Sequence, residues 1–350
     1  MLKNFWYGLE FSKDITSKPQ QLLRLNQILA AYRTASGKPV LMQDRCPRCG
    51  AALSLGKIVG DNIVCAKDGV SVGPDGSVMG QPSLYVDSYP VEDRYGWMWG
   101  FMGDVAESRV PIPELPYLHD RTTYKHIYGN FQWNAFYARV LENGVDAAHT
   151  PFVHGGAFGN PDEPEIEEYE VEHPSETSSR ATIHFNPTPS KGLWSRLYPR
   201  DQKEVRTVVQ WWLPNISLLE VHIPLGDLSI FNAHVPITDH ITVSKYIALR
   251  TFFKDNWADR DANRRVLNIF DQDKAVVEAQ RPELLPYDIG EELHVKSDAI
   301  QIEFRRARKP FFDKGWGLYP QNVYMPELKQ EPVIPSPVRA RVKLSVISEQ

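Results

Sequence analysis

Two sets of residues in this 350-residue chain have the types and spacing for metal chemistry. The first is a thiol group: Cys46, Cys49 and Cys65 are the chain's three cysteines, and all precede residue 70. The second is the segment Leu141-Glu-Asn-Gly-Val-Asp-Ala-Ala-His-Thr-Pro-Phe-Val-His154. The ten histidines begin only at His119, so thiols and imidazoles lie in chemically distinct parts of the chain. An odd cysteine count outside a disulfide framework leaves metal ligation or inert burial as the thiol roles.

In the histidine segment, Asp146 and His149 are three residues apart and are expected on one helical face. Pro151 disfavours helix at Thr150, and a bend is expected there. On an unbroken helix, residues five apart point about 140° away from one another, so the bend is what would bring His154 round to face His149. Two imidazoles from one turn and a carboxylate from elsewhere make the facial triad of mononuclear non-haem Fe(II), with positions left for dioxygen and substrate. Asp146 is placed to accept the second N–H of a ligating histidine. The competing reading is a pair of polar residues at a helix end, satisfied by backbone groups.

The third ligand is sought on a long helix expected over Arg260 to Ala279, where Asp271, Asp273 and Glu278 are the candidates. Asp273 shares an otherwise apolar face with Val277 and is expected to point inward, with Asp271 and Glu278 solvated. His222, His234 and His240 fall on expected strands and read as ordinary hydrogen-bonded histidines.

The elements that must position these groups follow from the turn spacing. Short apolar runs (Pro39 to Met42, Asn62 to Cys65, Ser83 to Ser88, Gly96 to Phe101) alternate with Gly, Pro and Asp turns over residues 1–118, the pattern of a small antiparallel β-domain. Gly69 to Gly80 lacks a G-K-[ST] ending and a following helix, so it reads as hairpin turns and not as a phosphate loop. Val110-Pro-Ile-Pro-Glu-Leu-Pro116 is too proline-rich for a helix or central strand and marks the connection. Residues 119–320 mix long strand-like stretches (Glu204 to Ile223, His240 to Phe253) with helices over 260–279 and 297–308, and 321–350 read as an extended, surface-bound tail. The fold class is α+β.

Composition limits the partners. With 39 basic against 44 acidic residues and no basic block, the net charge of −5 argues against a nucleic-acid or anionic-membrane surface. The longest stretch without Lys, Arg, Asp or Glu, residues 147–161, is too short for a bilayer of roughly 30 Å. The N-terminal MLKNFWYGLEFSKD has no clean apolar run, and the expectation is a cytoplasmic protein whose partner is a small molecule or a protein.

Four stretches together resemble one family: Asp44-Arg-Cys-Pro-Arg-Cys-Gly-Ala-Ala-Leu-Ser-Leu-Gly56, Asp61-Asn-Ile-Val-Cys-Ala-Lys-Asp-Gly69, Glu142-Asn-x-x-Asp-x-x-His-x-x-x-x-His154, and Phe270-Asp-Gln-Asp-Lys with the later Glu-Ala-Gln-Arg-Pro282. Over nearly its whole length the chain resembles a Rieske-type non-haem iron, aromatic-ring-hydroxylating oxygenase α-subunit, in particular the vanillate-demethylase-like branch. The resemblance implies a Rieske-like β-domain followed by a helix-grip (START-like) domain. It implies Fe(II) held by His149, His154 and Asp273, with Asp146 linking an iron-bound histidine to a neighbouring subunit's cluster ligand and Asn143 close to the metal. It also implies head-to-tail trimers, in which electrons cross from one chain's cluster to the next chain's iron.

The cluster motif departs from the family. A Rieske [2Fe-2S] site resembles C-x-H, sixteen residues, C-x-x-H, with two thiolates on one iron and two imidazoles on the other. Here it reads Cys46-x-Arg48, sixteen residues, Cys65-x-x-Asp68. Arg48 stays protonated and cannot ligate. Three readings are open: one zinc or iron on Cys46, Cys49, Cys65 and Asp68; a [2Fe-2S] cluster on the same donors; or a metal-free relic with buried thiols.

Two functions follow. One is an oxygenase subunit that uses Fe(II) and O2 to hydroxylate or demethylate a small, largely apolar or aromatic substrate, fed by a ferredoxin and reductase or by a Rieske-competent subunit of a homo- or hetero-trimer. The other is a non-catalytic ligand-binding or structural subunit of a hetero-oligomeric oxygenase. Pocket specificity would depend on which of the aromatics, such as Trp211, Trp212, Phe231 and Phe252, face the iron, and most of them are expected in the core.

Overall fold

The computed structural model describes residues 1–154, 162, 164–166, 169–185, 205–318 and 333–339. It divides into two compact units: Met1–Glu114 with Val235–Thr238 and Phe312–Gln350, and Leu115–His234 with Asp239–Phe311. The change of unit at Glu114 falls within the proline-rich segment, where the missing N–H groups leave no ladder to continue.

The first unit is built from short antiparallel strands in three sheets. Strands β1 (Phe5–Phe11), β10 (Trp97–Met102) and β9 (Val91–Arg94) form one; β2 (Gln20–Arg24), β3 (Gln27–Arg33), β4 (Pro39–Gln43) and β8 (Ser88–Tyr89) the second; β5 (Lys57–Val59), β6 (Asn62–Val64) and β7 (Ser71–Val72) the third. Of the run Ser83 to Ser88, only Ser88 joins a strand. Cys46 and Cys65 lie in the core between the second and third sheets, with Leu53, Ile63 and Val72.

Part of the C-terminal stretch belongs to this unit. Tyr89 donates its hydroxyl to the carbonyl of Ile334, and Asp87 accepts from Ser336 and from the Arg339 guanidinium at 2.8 and 2.9 Å. Ile334, Ser336 and Val338 are buried, which corrects the expectation of a surface-bound tail for residues 333–339. The rest of the expected tail, from 321, lies outside the described residues. At the other end of the chain, Lys3 N donates to Trp316 O, and Leu2 bridges Gly317.

The second unit is a seven-stranded sheet in the order β11 (Lys125–Trp133), β17 (Thr242–Arg250), β16 (Gly226–Pro236), β15 (Ile216–Ile223), β14 (Val205–Trp212), β13 (Ser178–Phe185), β12 (Val171–Ser175). β11 pairs antiparallel with β17, and β12 through β16 pair antiparallel in succession. Helices α1 (Tyr137–Val145), α2 (Thr150–Val153), α3 (Asp259–Ala279) and α4 (Ala299–Asp313) complete it, an α+β arrangement. The 21-residue α3 contains no Pro or Gly, carries Asp259 and Asp261 in its first turn and stops before Pro282. Its buried positions Val266, Phe270, Asp273 and Val277 recur at helical spacing and form one face. With Trp133, Val140, Ile230 and Tyr246 they make the core between helix and sheet. Asp273 is the single acid on that face, while Lys274 turns away to donate to the Gln132 carbonyl.

Candidate metal centre

Helix α1 ends at Val145, and Asp146 has already left helical conformation (φ −74°, ψ 123°). His149 and His154 cap the single turn of α2. Pro151 sits within the first turn of α2, where its missing N–H has no intrahelical partner to lose. The chain therefore breaks at Asp146 to Ala148, not at Thr150, and Asp146 does not share a helix with His149. Asp146 meets His149 across that break: its Oδ2 lies 3.3 Å from His149 Nδ1, while its Oδ1 accepts the Ala148 N–H at 2.7 Å.

The Nε2 atoms of the two imidazoles are 3.3 Å apart. Asp273 Oδ1 lies 3.3 Å from that of His149 and 3.1 Å from that of His154. Asp273 Oδ1 is buried, yet it accepts no hydrogen bond of good geometry from a described residue. Donor atoms about 2.1 Å from one ion and at right angles stand about 3.0 Å apart, so this triangle fits three ligands on one face of a metal. Burial pushes the His149 imidazole down, but the Asp146 and Asp273 carboxylates outweigh it and raise its pKa to about 9. Burial pushes Asp273 up, and the two imidazoles more than offset it, holding the carboxyl below its ordinary range.

Of the other sequence candidates, Asp271 is exposed, and Glu278 accepts the Asn134 backbone N–H at 2.7 Å and so is not simply solvated. Asn143 lines the cavity beside the histidines. Gln272, which the sequence did not single out, receives His154 Nδ1 on its Oε1 at 2.9 Å and so fixes that ring. Its position next to Asp273 was the available signal. Glu142 faces away from the centre: Arg305 holds it in a two-pronged pair at 2.6 and 2.9 Å.

A cavity of about 70 Å³ opens beside the triad, several times the roughly 10–15 Å³ that one water needs. Alternate residues of the sheet, Thr207 and Val209, Leu219 and Val221, Ile230 and Asn232, form one wall, as the two-residue period of strands requires. Trp133 and Phe270 supply its aromatic surface. Trp211 and Phe231 are buried elsewhere in the core, and neither they nor Trp212 and Phe252 line this cavity. His234 lines it too, with its ring nitrogens on the hydroxyls of Ser217 (2.7 Å) and Ser244 (3.1 Å). His222 lies between Glu220 and Asp227, and His240, just before β17, pairs with Glu283.

The second donor group is in the first unit, where one ligand atom from each of Cys46, Cys49, Cys65 and Asp68 lies within 4.8 Å of all the others. Cys49 and Cys65 sulfurs are 3.7 Å apart, and Cys46 Sγ is 3.8 Å from Asp68 Oδ1. The thiols of Cys65 and Cys49 and the Arg48 charge hold the Asp68 carboxyl below its usual range. The Arg48 side chain is 58% exposed and reaches Asp68 Oδ2 at 3.9 Å as an ion pair, but a protonated guanidinium is no ligand. With no imidazole at either expected position, this donor set does not fit a two-histidine Rieske cluster.

The sheets and helices of the two units have the two-domain architecture of the Rieske-type oxygenases. A model of the Rieske [2Fe-2S] domain matches residues 5–90, and one of the vanillate O-demethylase oxygenase C-terminal domain matches residues 133–312. The second match covers more than half of the chain, which belongs to that family. Chloroacetanilide N-alkylformylase, oxygenase component, of Rhizorhabdus wittichii is 30% identical over 168 residues, 45% of this chain and 48% of that protein, so this match spans about half its length. The vanillate O-demethylase oxygenase subunit of Pseudomonas sp. strain HR199 is 24% identical over 332 residues, 87% of this chain and 93% of that protein. Among solved structures, dicamba monooxygenase bound to dicamba superposes with a TM-score of 0.74 at 20% identity, covering 90% of this chain and 98% of that one. No helix among the described residues is long and apolar enough to cross a membrane.

Proposed function

We propose that this chain is an oxygenase subunit whose His149, His154 and Asp273 hold one Fe(II), and that it hydroxylates or demethylates a small apolar or aromatic substrate with O2. The observation that carries this reading is the buried donor triangle, 3.1–3.3 Å on each side, on the wall of an apolar cavity. The relatives that act on chloroacetanilides and vanillate support the same class of substrate.

Bound ferrous iron supplies the means to bind and reduce dioxygen. The protein's part is positional. Asp146 and Gln272 hold the two imidazoles with Nε2 toward the common centre, which keeps each ring in its ligating tautomer. Val209, Leu219 and Ile230 exclude water and press an apolar substrate toward the triad, while Asn143 and Asn232 offer polar contacts to a ring substituent. Incorporating one oxygen atom and reducing the other to water takes two electrons beyond those of the substrate, and these come from a partner protein's cluster. Function within a trimer, and in the cytoplasm, belongs to the same proposal.

The test is anaerobic loading of the purified chain with Fe(II), followed by turnover of aromatic methyl ethers and N-methyl compounds with a Rieske-competent partner and reductase. Oxidised product, lost together with iron in His149→Ala, is the expected result. Full iron occupancy without product from any substrate would sink the proposal. A second reading, a ligand-binding subunit that leaves catalysis to another chain, is favoured by Arg48 standing in a cluster-ligand position; it requires that His149→Ala leave the assembled enzyme's turnover unchanged.

A further inference from the structure

The two loops that carry the thiols are structural copies of one another. In the first, Cys46-Pro-Arg-Cys49-Gly50, the Cys46 N–H donates to Ala51 O at 2.7 Å and the Gly50 N–H returns to Cys46 O at 2.9 Å. In the second, Cys65-Ala-Lys-Asp68-Gly69, the Cys65 N–H donates to Val70 O at 2.8 Å and the Gly69 N–H returns to Cys65 O at 3.0 Å. Both loops close on a glycine at φ +73°, a conformation that costs a side-chain-bearing residue strain. Cys49 and Asp68 therefore hold equivalent places, each three residues after a buried cysteine.

This symmetry differs from that of a Rieske site, whose first loop ligates two residues after its cysteine. With fifteen residues between Cys49 and Cys65, the pattern is C-x2-C-x15-C-x2-D, the spacing of a four-ligand zinc site with aspartate in the fourth place. The distances agree. Zinc–sulfur bonds of about 2.3 Å in a tetrahedron separate two sulfurs by about 3.8 Å and a sulfur from a carboxylate oxygen by about 3.6 Å. The observed separations are 3.7 Å between Cys49 and Cys65 and 3.8 Å between Cys46 and Asp68. A two-iron cluster needs its donors in two pairs, each on its own iron with sulfides between. Here all four donors lie within 4.8 Å of one another, around a single point.

We propose that Cys46, Cys49, Cys65 and Asp68 bind one tetrahedral zinc ion in place of a Rieske cluster, making the first unit a metal-stabilised domain that carries no electrons. Zinc is closed-shell and has no redox chemistry, so electrons for an iron elsewhere in the chain must bypass this site. The inference stands on the geometry of the first unit and does not depend on the iron reading.

The test is elemental and sulfide analysis of the full chain, purified anaerobically from cells supplied with both metals. The expected result is one zinc per chain, no acid-labile sulfide, and a zinc-edge absorption spectrum fitted by three sulfurs and one oxygen. Cys49→Ser and Asp68→Ala should lose the zinc, and His149→Ala should keep it. If the cysteine variants do not fold, replacing zinc by Co(II) in the unaltered chain gives an independent reading, since thiolate-to-cobalt charge-transfer bands and tetrahedral d–d bands appear only at such a site. Two irons with two sulfides, a single iron in place of zinc, or no metal with three freely reactive thiols would each overturn the proposal.

Discussion

Gln272 and Asp146 act on the proposed iron ligands His154 and His149 from outside the triad. Each fixes one imidazole through the nitrogen that faces away from the centre. Gln272→Leu should weaken Fe(II) affinity by roughly 10- to 100-fold, the usual cost of removing such a partner, while the fold survives. Competitive titration against a chelator measures this, and an unchanged affinity would show that the His154 ring needs no such support. His234 makes a different prediction. Burial pushes its pKa down to about 3, and its ring bonds the hydroxyls of Ser217 and Ser244. Below pH 6.5 the unfolded chain takes up a proton that the folded chain refuses until about pH 3, so this stability is present above pH 6.5 and lost as pH falls. The slope is about 1.4 kcal/mol per pH unit. Urea unfolding of His234→Gln between pH 7 and pH 4.5 should be flatter by that slope, and parallel curves would refute the assignment.

At the scale of elements, α1 and α4 are joined by a buried alternation of charge. Glu142 pairs with Arg305 and approaches Arg139 at 3.7 Å, and both arginines also reach Glu292, at 2.5 and 2.6 Å. Glu142→Ala would leave two arginines short of a buried partner and should cost about 3–5 kcal/mol in unfolding free energy. A cost below 1 kcal/mol in denaturant titration would mean that the arginines find water. This network also marks where the sequence was legible. The strands and α3 could be read because turn residues and helical period are local signals. Asp273 could be chosen over Asp271 because burial of one helix face is periodic. The break before α2 was misplaced because the effect of a proline depends on which helical position it takes. Glu142–Arg305 and Trp133 in the cavity could not be foreseen, since pairings across more than a hundred residues and strand register leave no local trace.

For the molecule as a whole, the first unit is assembled from both ends of the chain and a short piece of its middle. Asp87 anchors the returning C-terminal segment through Ser336 and Arg339. Asp87→Ala should destabilise this unit by about 1–3 kcal/mol, because the Ser336 donors are left unmatched in a buried place. Limited proteolysis near residue 336 reads the loss directly, and cleavage no faster than in the unaltered chain would contradict the anchor. The discontinuity also sets an order of events during synthesis. About 200 residues separate Glu114 from Phe312. At roughly 5–20 residues per second, the ribosome needs on the order of 10–40 s to supply Trp316 and Gly317, the backbone partners of Lys3 and Leu2. The part translated first is therefore the last to be finished, and its edge stays open to chaperones or to a neighbouring nascent chain throughout that interval.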